Sequence, residues 1–182
     1  KSRLFLPSEG SSEQDDVWSW YLNIPLELEE GFLSAEQQEC FRAYYRGAGL
    51  LRRWRRPFFR HHYGRTFARS AAFLLAAPEG LPVLDLGCGC GTQGFYLAVR
   101  GVRVLALDVD ETALAVLRRR KAFYQDRAGR RLDIAVERTD ALEFDYAAIA
   151  PIGGLHSMFA FNMMQPSAAL MERMAPHLSS GV

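Results

Sequence analysis

The run Val83-Leu84-Asp85-Leu86-Gly87-Cys88-Gly89-Cys90-Gly91-Thr92-Gln93-Gly94 constrains this chain more than any other stretch. An apolar segment that ends around a carboxylate and passes at once into alternating glycines predicts a strand, a tight loop and the start of a helix. Glycines at this spacing permit positive φ and a close approach of the backbone to a ligand. At the carboxyl end of a parallel strand such a loop opens on the crevice where open α/β sheets bind nucleotides. Two registers fit. Gly89-x-Gly91-x-x-Gly94 is a dinucleotide fingerprint, which needs a pyrophosphate seated on the helix N-terminus. Asp85-x-Gly87-x-Gly89-x-Gly91 instead sets a carboxylate at the mouth of the loop, where it would repel a pyrophosphate and attract a cation.

The flanking sequence supplies the rest of an α/β unit. Thr66 to Ala77 repeats its apolar residues at the helical period and is stopped by Pro78, Gly80 and Pro82. Leu81–Leu86 is the first strand, Phe95–Arg100 a short helix closed by Gly101, and Val102–Leu107 a second buried strand. Strand, helix and strand within so short a span make a βαβ unit, and the right-handed crossover rule makes the strands parallel. The second strand runs into Asp108, placed where an acid would grip a ribose through its hydroxyls. Asp110, directly before Glu111-Thr112-Ala113-Leu114, is the expected N-cap of the next helix. That helix continues into Arg118-Arg119-Arg120-Lys121, a structural run whose charges suit a helix C-terminus. Leu132–Glu137 is a third strand leading to Asp140, and Leu155–Asn162 is expected as a fourth, with a start at Asp145-Tyr146 as the alternative. A helix through Leu170, Met171 and Met174 follows.

Before this unit the chain divides in two. Residues 1–33 are acidic and are expected to be irregular, with an aromatic island at Val17-Trp18-Ser19-Trp20-Tyr21-Leu22 that staples the segment to the core or serves as a lid. Ser34-Ala-Glu-Gln37 is a capping box, so a helix runs from Ala35 to about Arg46, with Phe41, Tyr44 and Tyr45 sharing a face. Residues 50–65 are basic and aromatic. They suit an anionic surface, a wall over the active site, or a solvated face paired with the acidic N-terminal segment. Pro57 is expected to break or kink the helix there.

Composition narrows the class. At 182 residues and 49% hydrophobic the chain can bury one core, and a formal net charge of +1 gives no whole-molecule field for nucleic acid. No segment reads as a membrane span or a signal peptide. Of the three cysteines, Cys88 and Cys90 sit in the glycine loop as small fillers, and no Cys/His cluster completes a metal site. A cytoplasmic setting is expected.

With Asp85, the glycine loop, Asp108 and Asp140-Ala141 in this order, residues 66–182 resemble the class I S-adenosylmethionine-dependent methyltransferases. The resemblance implies an α/β fold, a Rossmann-like parallel sheet with helices on both faces, preceded here by an N-terminal helical cap over residues 1–65. It implies S-adenosylmethionine as methyl donor and a small molecule as acceptor, methylated on O, N or C. Gly87, Cys88, Gly89 and Gly91 would shape the loop around the amino-acid part, and Asp85 would answer its ammonium. Asp108 with Val109 would hold the ribose, and Asp140 with Ala141 the adenine. Asn162 would face the methyl group, and Tyr63 or Arg65 would reach the donor carboxylate. His61, His62 and His156 are candidate general bases. Asn162-Met163-Met164-Gln165-Pro166 departs from the Asn/Asp-Pro-Pro-aromatic motif of enzymes that methylate nucleobase or glutamine nitrogen, which argues against those acceptors. The family's sheet usually has seven strands and only four fit here, so its C-terminal strands are expected to be missing by truncation. Two other classes stay open on the residues alone: a nicotinamide-dependent oxidoreductase using the second glycine register, and an RNA-binding module using Arg52–Arg65.

Overall fold

The structure is a computed structural model that describes residues 4–7, 13–46, 51 and 56–179. Four strands, β1 (Val83–Leu86), β2 (Val104–Asp108), β3 (Ile134–Arg138) and β4 (Gly154–His156), form one parallel sheet in the order β3-β2-β1-β4. Val83 pairs with Val104 and Gly154, and Asp85 with Ala106 and His156. The chain winds outward from β1 to β3 and then returns to the other side of β1, so the order reverses at β1. Ligand crevices of open α/β sheets form at the carboxyl ends of strands at such a reversal.

Side chains alternate across a strand, and the sheet sorts them into two apolar layers. Val83, Val104 and Ala106 enter one cluster with Phe67, Phe95, Leu114 and Leu117. Leu84, Leu86 and Leu107 enter the other with Phe144, Tyr146, Leu170 and Met174. Helices therefore cover both faces, as a parallel sheet requires. They are α5 (Arg65–Leu75), α6 (Thr92–Val99), α7 (Glu111–Ala128) and α8 (Ser167–Met174), preceded by α1 (Glu13–Tyr21), α2 (Asn23–Glu29), α3 (Ala35–Arg46) and the single turn α4 (Arg56–Phe59).

Local signals placed the starts of α3 and α7. The Ser34 hydroxyl accepts from the Gln37 N–H at 3.2 Å while the Gln37 side chain accepts from the Ser34 N–H at 3.1 Å, a complete capping box. Asp110 caps α7 by accepting from the Thr112 and Ala113 N–H groups at 2.9 and 3.3 Å. Gly129 ends that helix at φ 62°.

Four expectations need correction. The N-terminal segment is helical over α1 and α2, because the aromatic island packs inward: Val17, Trp20, Tyr21 and Ile24 join the same cluster as Phe95 and Tyr124. Pro57 lies within α4, and from there the chain runs on without a break through a π-helical stretch, Arg60–Gly64, into α5; the residues on its N-terminal side, 52–55, lie outside the described residues. The basic run Arg118–Lys121 stands in the middle of α7, which extends to Ala128, and Arg120 within it is fully buried. Finally, β4 stops at His156. Phe159 then takes φ 63°, and the apolar residues beyond it form a 3-10 turn, Phe161–Met163. Residues 50 and 52–55 of the basic segment lie outside the described residues.

Candidate active site

The loop between β1 and α6 holds Gly87, Gly89 and Gly91 at φ 65°, 51° and 75°, a backbone that residues with a Cβ rarely adopt. Space forbids a Cβ as well. One on Gly87 would collide with Ala160, one on Gly89 with the phenol of Tyr44, and one on Gly91 would lie 2.7 Å from Leu117. Four of the loop's N–H groups are committed within the chain. Those of Gly87 and Cys88 donate to the Leu107 carbonyl at 2.9 and 3.1 Å, that of Gly91 to the Cys88 carbonyl at 2.9 Å, and that of Gly89 to Asp108 Oδ2 at 2.7 Å. Cys88 and Cys90 are buried free thiols that fill the loop.

Beside the loop lies a cavity of about 400 Å³ that reaches from Tyr44, Gly87 and Gly89 past Asp108, Val109 and Asp110 to Thr139, Asp140 and Ala141, with Met158–Ala160, Met163 and Met164 over it. Asp108 is fixed from two sides, its Oδ2 by Gly89 and its Oδ1 by the Asp110 N–H at 2.9 Å. A carboxylate has about four acceptor sites, so each oxygen keeps one for a ligand hydroxyl. Asp140 accepts from the Leu142 N–H through Oδ1 at 2.9 Å. Val109 is 58% exposed and gives the cavity an apolar lip. Among the described residues the walls carry three carboxylates and no Lys, Arg or His.

The other predicted residues lie elsewhere. Asp85 is buried beneath the loop on the α6 side of β1, outside the lining, and its Oδ2 has no hydrogen-bond partner. Burial, reinforced by the charge of Asp108 and opposed by the Gly94 N–H, pushes its carboxyl up to about 7. His156 pairs in register with Asp85 and packs against Phe67, ring to ring at 5.3 Å, with Nε2 unpartnered. Burial pulls this imidazole down to about 4. It borders a second cavity of about 430 Å³ between α5 and β4, lined also by Arg69, Phe73 and Leu155. His61 and Arg65 are exposed and do not line the first cavity; the side chains of His62 and Tyr63 lie outside the described residues. Asn162 is displaced from its expected place at a strand end: it is exposed in the 3-10 turn and borders neither cavity, because β4 is only three residues long.

Two features escaped the sequence. Tyr44 reaches the cavity from α3. Its companions Phe41 and Tyr45, at helical spacing, are buried, whereas Tyr44 is 48% exposed and lies on Gly89; the shared face was visible but suggested only packing. The second is a buried network. Arg120 donates to Glu27 through Nε at 2.6 Å and Nη2 at 2.8 Å, and through Nη1 to the Cys90 carbonyl and the Thr92 hydroxyl. Tyr124 donates to Glu27 at 2.6 Å, the hydroxyls of Tyr45 and Thr92 share a hydrogen bond, and Trp20 donates from its indole to the Thr92 carbonyl at 2.7 Å. Helices α1, α2, α3 and α7 are thereby tied to the loop and the first residue of α6. Glu30 and Asp16 likewise reach Arg127 and Arg100.

A family model described as a methyltransferase domain matches residues 83–181. The cypemycin N-terminal methyltransferase of a Streptomyces species is 32% identical over 107 residues, 57% of this chain and 40% of that protein. The ribosomal RNA small subunit methyltransferase C of Chromohalobacter salexigens is 51% identical over 45 residues, 25% of this chain and 14% of that one. The chain thus spans less than half the length of either relative. Among solved structures, magnesium protoporphyrin IX methyltransferase (ChlM) from Synechocystis PCC 6803 with bound S-adenosylmethionine matches 95% of this chain and 75% of its own at a TM-score of 0.53 and 14% identity. The glycopeptide N-methyltransferase MtfA complexed with S-adenosylmethionine matches 64% and 49% at 0.50 and 24%. At such identities the likeness is one of fold: a Rossmann-like sheet.

Proposed function

This chain belongs to the methyltransferase-domain family, and we propose that it binds S-adenosylmethionine in the 400 Å³ cavity and passes the methyl group to an O, N or C atom of a small-molecule acceptor. The observation that carries this is Asp108, held by two backbone N–H groups at the carboxyl end of β2 with free acceptor capacity toward the cavity. A ribose diol fits those lone pairs. Asp140 and Ala141 at the far end suit the amino group and face of an adenine, and the exposed apolar surface of Val109 suits its ring. Asp85, expected to answer the ammonium, lies beneath the loop outside the cavity lining, with one carboxyl oxygen unpartnered. The residues present therefore fit the donor.

When bound, the donor supplies a methyl group already activated on a sulfonium, so the protein's task is positional and electrostatic. The residues of the glycine loop hold their own shape without ligand. Met158, Phe159, Ala160, Met163 and Met164 line the cavity with apolar surface, and Ala160 and Met164 lie against Gly87 of the loop. Aligning two reactants in this way can be worth on the order of 7–11 kcal/mol. The dinucleotide alternative finds less support: a pyrophosphate at this loop would face Asp108 and Asp110 across the cavity, with no Lys, Arg or His among the described lining residues to offset its charge. The free thiols of Cys40, Cys88 and Cys90 support a reducing, cytoplasmic setting.

Calorimetric titration with S-adenosylhomocysteine and with NADH tests the assignment. The first is expected to bind the wild type and to lose at least tenfold in affinity in Asp108→Ala. Binding of NADH alone would overturn it.

A further inference from the structure

The donor brings a carboxylate, and the cavity offers it little. Its walls hold Asp108, Asp110 and Asp140, no cation lines it among the described residues, and the N–H groups of Gly87, Cys88, Gly89 and Gly91 already donate within the chain. Arg65 stands exposed away from it, and the guanidinium of Arg120 is consumed by Glu27, Cys90 and Thr92. Among the described residues, two hydroxyls remain on the walls. That of Thr139 donates to the Asp140 carbonyl at the adenine end. That of Tyr44 lies on Gly89, at the loop end, and makes no hydrogen bond to a described residue.

We propose that Tyr44 is the cap's contribution to the donor site: its phenol donates a hydrogen bond to the carboxylate of the donor's amino-acid part. The inference rests on the cavity being the donor site. Partial burial, with the charges of Cys90, Asp85 and Asp108 behind it, pushes the Tyr44 phenol up, so it stays protonated and keeps the proton it must donate. A neutral donor also suits this place, because a cation would pair with Asp108 and draw it off the ribose. The position of the phenol is set from behind. Tyr45, the next residue, is buried against the Thr92 hydroxyl, which Arg120 also holds, and Arg120 is clamped by Glu27 of α2. Glu27 and Arg120 are thus positioning residues for Tyr44 and contact nothing in the cavity.

The test compares two ligands that differ in the group concerned. S-Adenosylhomocysteine has the carboxylate; 5′-methylthioadenosine keeps the adenosine and thioether and lacks the amino-acid end. Tyr44→Phe preserves the ring on a half-exposed side chain, and its melting temperature should match the wild type. Calorimetry is expected to show roughly ten- to a hundredfold weaker binding of S-adenosylhomocysteine, the usual cost of a hydrogen bond to a charged group, and unchanged binding of 5′-methylthioadenosine. Unchanged binding of both ligands, or equal weakening of both, overturns the assignment. Asp108→Ala separates the two levels. It should weaken both ligands, and if it weakens neither, the donor reading of the cavity falls and the role of Tyr44 with it.

Discussion

At the scale of single residues, Asp85 shows how burial sets a chemical property. Its carboxyl, pushed up to about 7 mainly by burial, carries a proton in the folded chain at pH values where the unfolded chain has lost it. At this group the native state therefore binds more protons between about pH 4 and 7, and its contribution to stability declines as pH rises through that window. Asp85→Asn removes that contribution. In urea denaturation the variant should match the wild type near pH 4 and exceed it by about 2–4 kcal/mol at pH 8, while losing affinity for S-adenosylhomocysteine. Equal stability at pH 8 would mean that Asp85 finds a charge partner in solution. The motif was legible because each part is local: the glycines follow one another, and Asp108 and Asp140 each close a strand. The environment of Asp85 was not legible, since the α6 backbone and the Asp108 charge that shift it arrive only when the sheet forms. Tyr44 was hidden for a related reason: periodicity names the residues on one helix face and cannot say which of them stops short of the core.

At the scale of elements, α7 is held by a charge pair whose members stand 93 residues apart. A run of four basic residues looks solvated in sequence, and only the approach of α2 turns one of them inward. Breaking a buried pair from one side leaves an uncompensated charge, so Glu27→Gln should cost about 3–5 kcal/mol in urea denaturation, whereas Glu27→Leu with Arg120→Met should recover most of that loss by apolar packing. A double variant as unstable as the single one would contradict this. β4 shows the opposite failure of sequence reading. Leu155 to Phe161 has the apolar density of a strand, yet pairing stops at His156, and the remainder turns over Gly87, where the loop needs a cover. The capping box of α3 and the Asp110 cap of α7, decided within four residues, were legible; the far end of α7 and the strand ends, decided by neighbours, were not.

For the molecule as a whole, two buried titrating groups in adjacent register oppose each other. His156, pulled down to about 4 by burial, refuses a proton that the unfolded chain accepts near 6.5, so it lowers stability as pH falls between those values, by up to about 3 kcal/mol. Asp85, across the β1–β4 pair, raises stability over nearly the same descent. The wild type should accordingly show a shallow pH dependence between 4.5 and 6.5. His156→Gln should unmask a gain on acidification and Asp85→Asn a loss, read as urea midpoints; parallel curves for the two variants would refute the balance. Sequence alone placed both residues on strands and could not place them side by side, because the return of β4 to β1 is a property of topology. The cap and the sheet also share one apolar cluster, so cap and sheet are expected to unfold together.

That shared cluster contains an optical reporter. The indole of Trp20 is 1% exposed, lies 4.8 Å from the ring of Tyr124, and is hydrogen-bonded to the residue that begins α6 immediately after the glycine loop. Its emission should be blue-shifted in the folded chain and should respond when a ligand tightens the loop, which would make docking of the cap and filling of the cavity visible by fluorescence without a label.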